Sequence, residues 1–445
     1  MRIKITFFLC TSVSLHLFAQ NTSSSPFSSI GLGERESADH AVFSGIGTCN
    51  TTYFDSTILN YFNPASYNTL ATGQPLFSLG LTSRISQYSQ NGLSKTNATA
   101  FVEHFVMGFR VKKNVGFAFG LKPFSRRGYE LSERIAVGGD SMLNTYIGSG
   151  GIHQVFLGLS TNLIKFKQTK LAVGGNLSYL FGETTNERRS QLIEANSKAS
   201  GIDWNSIRFN SFYYELGAYF KQSFGKNHNL LIGATASPAQ KTNASQNYSL
   251  FYGAAGNPEN YDTLLHTQTK GSLNIPLSFS VGLNYNWWFN TQKRNNSFRN
   301  SELSFHINYS ETTWSNFTGT FDQLTPGLNT RKIAAGIQFT PERKFLESAV
   351  NSGVFSTMKY RLGCYQYTLP YVYDGSQLHD RGITAGIGIP VLAQQALSSV
   401  NIGLTYGTRS GKLPTSLNEN YLGISLGLIL APSFYERWFK KRKLD

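Results

Sequence analysis

The sequence predicts an all-β fold: a transmembrane antiparallel β-barrel of about fourteen strands with an N-terminal luminal hatch or plug. Three observations predict it. Apolar and small polar residues alternate with period two in one segment after another. No stretch offers about twenty consecutive apolar residues, so no helix of this chain spans a bilayer. Short and long connections alternate through the first half of the chain, the pattern of a barrel with turns at one end and loops at the other, and the contrast weakens at "PERKFLESAVNSGVFST".

Residues 1–19 place Arg2 and Lys4 before a short apolar run and end on Ala19, the layout of a secretory signal peptide. Phe8 and Leu9 ahead of Cys10 are too bulky for a lipidation site. Residues 20–73 then run without alternation, rich in Gly, Ser, Thr and Asn, with Pro26 and Pro64 as breakers. A barrel of about fourteen strands encloses more space than its wall side chains fill, so it holds water or a plug. The 20–73 segment has the length and composition for that plug. Its end, "NYFNPASY" (Asn60–Tyr67), turns the chain from the lumen into the wall.

The barrel is expected over residues 74–432. Alternating segments begin near Leu76, Ala100, Val115, Gly151, Leu171, Asn210, Asn229, Gly271, Glu302, Lys332, Lys359, Arg381, Val400 and Asn420. An even number puts both termini at one side, expected to be the periplasm. In "YLGISLGLIL", Leu422, Ile424, Leu426, Leu428 and Leu430 share one face, and Tyr421, Gly423, Ser425 and Gly427 the other. The purest alternation runs from Leu273 through Ile275, Leu277, Phe279, Val281, Leu283 and Tyr285 to Trp287. Tight turns are expected at Lys112–Asn114, "KFKQTK" and "GKNHN", and long loops at 125–149, 183–209 and 238–270. Residues 433–445 form a basic tail on the periplasmic side, with Lys440–Lys443 reading "KKRK".

Composition agrees with this reading. The chain has 42 glycines and 14% aromatic residues, with only 15% charged, against about 25% charge in ordinary globular domains. A secreted soluble β-sandwich would need a buried partner for so many outward Leu, Ile and Phe positions, and would show no alternation of loop lengths. The net charge of +15 does not meet nucleic acid in an exported chain. It meets anionic outer-membrane lipid and lipopolysaccharide, or charges inside the molecule. Beyond the signal peptide only Cys49 and Cys364 remain, without zinc-ligand spacing. Cys364 shares a face with Leu362 and points to lipid while Cys49 lies in the hatch, so no disulfide is expected. No GxGxxG, P-loop or GxSxG context is present. No enzyme, catalytic residue, metal or cofactor is therefore expected.

If large apolar residues face lipid, the other face looks into the lumen. It carries Arg84, Arg110, Lys122, His306 and Arg361 beside small residues such as Gly80, Gly108, Gly120 and Gly363. The hatch carries Glu34, Glu36, Asp39 and Asp55. Two readings stay open: basic wall residues pair with acidic hatch residues, or one or two arginines hold the carboxylate of an amphipathic ligand. Aromatic residues cluster at strand ends, Tyr285, Trp287 and Trp288 at one and Tyr365, Tyr367, Tyr371 and Tyr373 at another, as interfacial girdles.

A hatch carrying Asn63, Pro64 and Ala65 ahead of fourteen strands resembles the FadL-type (OMPP1/TodX-like) outer-membrane barrels. "SSPFSSIGLGE" (Ser24–Glu34), "YRLGCYQYTLPY" (Tyr360–Tyr371), "DRGITAGIGIPV" (Asp380–Val391), "VNIGLTYGTRSG" (Val400–Gly411) and "ENYLGISLGLIL" (Glu419–Leu430) are similar to a FadL-related group from Bacteroidota. The resemblance implies a Gram-negative outer membrane and passive uptake of small hydrophobic or amphipathic molecules. The same group includes barrels that act as partners in export or assembly complexes. As the alternative it implies a non-transporting barrel subunit of an outer-membrane protein complex (protein export or barrel-assembly machinery). The chain departs from the transporter pattern by running past its last strand through "PSFYERWFKKRKLD" (Pro432–Asp445).

Overall fold

In a computed structural model of the chain, residues 25–432 are described apart from 36–39, 113, 139, 194–198, 255–260, 290–296, 322–326, 345–354, 356, 374–375, 392–397 and 412–415. The signal peptide, the basic tail, Glu36 and Asp39 lie outside the described residues.

Fourteen antiparallel strands close into a barrel. The wall strands are β1 (Leu76–Gln90), β2 (Leu93–Lys112), β3 (Val115–Arg126), β4 (Asp140–Phe166), β5 (Thr169–Leu192), β6 (Ala199–Phe224) and β7 (His228–Ser237). They continue as β8 (Ser278–Phe289), β9 (Ser301–Thr312), β10 (Thr330–Thr340), β11 (Lys359–Tyr373), β12 (Ser376–Pro390), β13 (Ser399–Ser410) and β14 (Asn418–Leu430). Each strand pairs with the next, and β14 closes on β1 from Leu430↔Phe77 to Asn418↔Ser89. Closure leaves no free wall edge, the condition for strands to cross a bilayer.

The outward positions form the apolar belt that the alternation predicts. Leu157, Phe212, Leu362 and Ile383 are all more than half exposed. Burying them in hydrocarbon is what makes the outer face stable. Outward rings border the belt at both ends: Trp287, Phe289, Phe339 and Tyr360 stand 5.3–6.5 Å apart in sequence round one rim, and Tyr179 and Phe212 stand 5.6 Å apart near the other. Tyr285 and Trp287 take the expected girdle place. Tyr365, Tyr367 and Tyr371 do not. They lie one residue out of phase with Leu362 and Cys364 and point inward, where Tyr371 is buried beside Phe27 and Leu369.

Two further expectations change. The long connections are not loops but hairpins. Tyr129–Val137 pairs with the upper half of β4, β4 with β5, β5 with β6, β6 with Gln240–Ala254, and that strand with Asp262–Ile275. The six form a screen standing on one side of the barrel mouth. The alternation from Leu273 to Trp287 also spans two elements. Asp262–Ile275 ends before Pro276, which cannot donate to a ladder, and β8 starts at Ser278. Leu273 and Ile275 therefore turn inward onto Phe209, Trp314 and Phe317, while Val281 and Leu283 face outward.

The wall begins at Leu76 and ends at Leu430, at the same end of the barrel. The N-terminal segment starts at the opposite end: Ser25 N–H donates to Gly128 O at 2.9 Å, and Phe27 packs on Tyr88 beside the Asn91–Gly92 turn. The described residues 25–35 and 40–72 thus lie against the inner face of the wall.

Candidate functional site: the lumen between wall and N-terminal segment

The segment is built from short capped turns. The Ser25 side chain caps a 3₁₀ turn at Pro26–Ser29, His40 caps a helical turn at Ala41–Ser44, and Asn63 caps Pro64–Thr69. "NPA" has a local reason: Asn63 Oδ1 accepts from Ala65 N–H at 3.1 Å, and proline occupies the first helical position, where no N–H is needed. Asn63 Nδ2 donates to Thr51 O at 2.8 Å and to Ala218 O on β6 at 3.4 Å, tying turn to wall.

The segment and the inward wall positions share one core, with Val42, Phe43, Ile46, Leu59, Tyr61 and Tyr67 against Leu76, Val106, Phe156 and Ile429. In places backbone meets backbone. Inward glycines on every wall strand except β1 and β9, from Gly108 on β2 round to Gly427 on β14, lie against the segment. A Cβ at Gly174 would sit 2.5 Å from the Pro64 carbonyl, and one at Gly363 2.5 Å from the Ile46 carbonyl carbon. Neither neighbour is a side-chain end that could swing aside, so only glycine fits.

Nearer the loop end an ionic network joins segment and wall. Arg409 on β13 reaches Glu34 at 2.5 Å, Asp380 on β12 at 2.8 Å and Glu419 on β14 at 3.5 Å. Arg84 on β1 reaches Glu419 at 2.8 Å and Glu34 at 3.8 Å, and lies 3.7 Å above the Tyr421 ring. Tyr421 donates to Asp380 at 2.7 Å and Ser86 to Glu419 at 2.6 Å. Burial raises the Glu34 pKa, but Arg409 and Arg84 outweigh it and hold the carboxyl below its usual range. At the turn end Asp55 is likewise opposed by burial and held far down by its ion pair with Lys359.

All five wall residues singled out in the sequence face inward, but their partners differ from the acids expected. Arg84 alone meets a hatch carboxylate. Arg110 Nη1 donates to the Asn68 carbonyl at 2.9 Å and its Nε to Thr72 at 2.8 Å. Lys122 approaches the wall's own Glu215 at 3.9 Å and lies over Phe62. His306 stacks on Tyr53 at 5.5 Å and bonds Asn284. Among the described residues Arg361 bonds only the neutral Gln338 and Asn401. Arg409, Asp380 and Glu419 were missed. Cys49 is buried and Cys364 exposed, both free.

Among the described residues the remaining space is small and lined by polar and apolar groups together. Two cavities of about 130 and 190 Å³ lie on the loop side of the segment and share Arg35, Thr48, Trp314, Lys332 and Tyr367. A third, of about 450 Å³, lies between the segment and the turn-end rim. One interruption marks the wall. β2 and β3 pair only up to Phe105↔Leu121, above which each continues with its other neighbour. Arg126 spans the split: its Nη2 donates to Val102 O at 2.9 Å and lies 3.6 Å from Glu103, with Glu34 paired to its backbone behind.

Comparisons with known proteins match this geometry. A Pseudomonas aeruginosa FadL homologue shares the fold with a TM-score of 0.52 at 12% identity, over 91% of this chain and 100% of that one. The Pseudomonas putida toluene transporter TodX does so with a TM-score of 0.50 at 12% identity, over 90% and 99%. At such identities the likeness extends to the fold, an outer-membrane β-barrel of the FadL/TodX type. No curated protein matches the sequence. One family model matches residues 1–445 in full, and by it the chain belongs to the BamG family.

Proposed function

We propose that this protein is a non-transporting barrel subunit of an outer-membrane protein complex, of the barrel-assembly kind. In this reading residues 20–73 are a permanent plug and the end carrying Leu430 faces the periplasm. The observation that carries it is the seating of the N-terminal segment on wall glycines around nearly the whole circumference, backbone against backbone at Gly116, Gly174, Gly233, Gly336, Gly363, Gly386 and Gly403 and through side chains at the others. A plug held that way cannot shift without unseating many contacts at once, and charged side chains such as Glu34, Arg35 and Lys332 stand among those lining the cavities beside it. Membership of the BamG family supports the same reading. The screen of hairpins above the mouth and the basic tail below are the surfaces left for partners.

Extraction from native membranes in mild detergent tests this. The expected result is co-purification of other outer-membrane proteins in fixed stoichiometry, and recovery of the monomer alone would contradict it.

The second reading, a channel for passive uptake of small hydrophobic or amphipathic molecules, is favoured by the split between β2 and β3 and by the FadL/TodX-type fold. It requires Arg126 to swing out. In that case Arg126→Ala speeds entry of a hydrophobic dye into proteoliposomes and leaves partner recovery unchanged.

A further inference from the structure

Three neighbouring hairpins of the wall carry no acid. Residues 104–129, 141–182 and 216–258, which contain the β2–β3, β4–β5 and β6–β7 turns, hold not one Asp or Glu. Their turns are basic instead: Lys112 stands at the first, Lys165 and Lys167 at the second and Lys226 at the third, all four exposed. The turns adjoin along the rim, where Asn162 N–H donates to Asn114 O at 3.2 Å and Ser223 N–H to Gln168 O at 3.0 Å. One rung also sets Lys165, Lys170 and Lys221 directly opposite one another across β4, β5 and β6. Like charges so placed repel. Lys170 donates to Asn68 Oδ1 at 3.1 Å, and Lys221 lines the turn-end cavity together with Glu302. Lys165 is the exposed member of the rung.

Phe166 and Phe224 stand among these lysines, 64% and 51% exposed, and Lys167 Nζ lies 5.2 Å from the centre of the Phe166 ring. Exposed rings beside cations suit the level of lipid headgroups. Further down, the same strands leave a trough of about 610 Å³ in the outer wall. Gly174, Gly217 and Gly233 face the N-terminal segment, so their neighbours Gly175, Ala218 and Ala234 face outward. These small residues line the trough together with Leu159 and Leu216, which are about half exposed. Ala218 lies three residues from Lys221 and Val173 three from Lys170, about 10 Å along a strand. An acyl chain seated in the trough therefore reaches the level of the lysines.

We propose that this face of the barrel binds one anionic phospholipid, with its phosphate among Lys112, Lys165, Lys167 and Lys226 and an acyl chain in the trough over Ala218 and Ala234. The charge of the rim selects the headgroup, because a zwitterionic lipid brings an ammonium group that the lysines repel. The site goes beyond the assembly role above. It shares with that reading only the orientation that puts the turn end at the periplasm, beside the phospholipid leaflet, and binding is read on the purified barrel without partners.

The test uses the full chain, purified and delipidated in mild detergent, with bound lipid counted by native mass spectrometry. Phosphatidylglycerol should bind as one copy per barrel, at least fivefold more tightly than phosphatidylethanolamine with the same chains. Lys112→Gln, Lys165→Gln, Lys167→Gln and Lys226→Gln together should remove that preference. Ala218→Phe leaves every charge in place and fills the trough. It should weaken phosphatidylglycerol at least fivefold while the barrel keeps its heat-resistant migration, and Ala234→Phe serves equally if Ala218→Phe fails to insert. Equal binding of the two phospholipids, lipid A bound as tightly as phosphatidylglycerol, an undiminished preference in the lysine variant, or wild-type affinity with the trough filled would each overturn the proposal. Loss of co-purifying proteins from the lysine variant, with its lipid binding unchanged, would instead assign the rim to an acidic partner protein.

Discussion

Replacing Arg409 by Ala should lower the stability of the barrel by about 3–5 kcal/mol, the usual consequence of removing one partner from a buried ionic cluster. Arg409 is the shared cation of Glu34, Asp380 and Glu419. Without it, Glu34 and Glu419 keep Arg84, while Asp380 loses its guanidinium partner. The measurement is the temperature at which the folded barrel loses its compact migration on a denaturing gel, or an equivalent unfolding midpoint in detergent. An unchanged midpoint would refute the assignment. The pH dependence adds a second arm. Glu34 has a folded-state pKa held below its unfolded value, so its contribution is present above the unfolded carboxylate pKa of about 4.3 and is lost as pH falls through the folded one. Without Arg409 the carboxylates repel one another, and protonation relieves them. The gap between wild type and Arg409→Ala should therefore narrow below about pH 4.

Gly174→Ala and Gly363→Ala should each destabilise the protein by about 1–3 kcal/mol, although each adds one methyl group. The added carbon would lie 2.5 Å from backbone atoms of the N-terminal segment, on opposite parts of the wall. Gly175→Ala is the control. Its side chain points outward and would meet nothing closer than 3.6 Å, so its midpoint should stay within a few tenths of a kcal/mol of wild type. If all three behave alike, the close seating of segment on wall is wrong. If only the inward pair is affected, the wall glycines serve the segment rather than the strands, since glycine weakens a strand interior by itself.

The wall was legible in the sequence because alternation reports the solvent on each face. The outer face of "YLGISLGLIL" meets hydrocarbon at every second position, and the period survives for ten residues. It misled at Pro276, where two strands keep the same parity across a kink and the apolar set changes sides. It could not show that long connections were hairpins, because residues 183–191 carry polar side chains at every position on both faces and lose the contrast that marks a strand. The acids of the segment were readable as needing partners, but which wall cation each would meet depends on the depth at which the segment sits. Arg409 continues the face of Asn401, Gly403, Thr405 and Gly407, so its inward direction was available from the same alternation. The clustering of Glu34, Asp380, Arg409 and Glu419 was not, because it joins positions far apart along the chain. The inward glycines carried a signal too: their recurrence on nearly every strand marks the level at which another segment packs closely on the wall.

The account rests on a lumen closed by the N-terminal segment, and ion conductance across a planar bilayer tests that most directly. The purified wild-type barrel should give no steady open-pore current, whereas a variant lacking residues 25–72 but able to insert should conduct as an open barrel. A sustained wild-type conductance of the same size as the deletion variant would contradict the account.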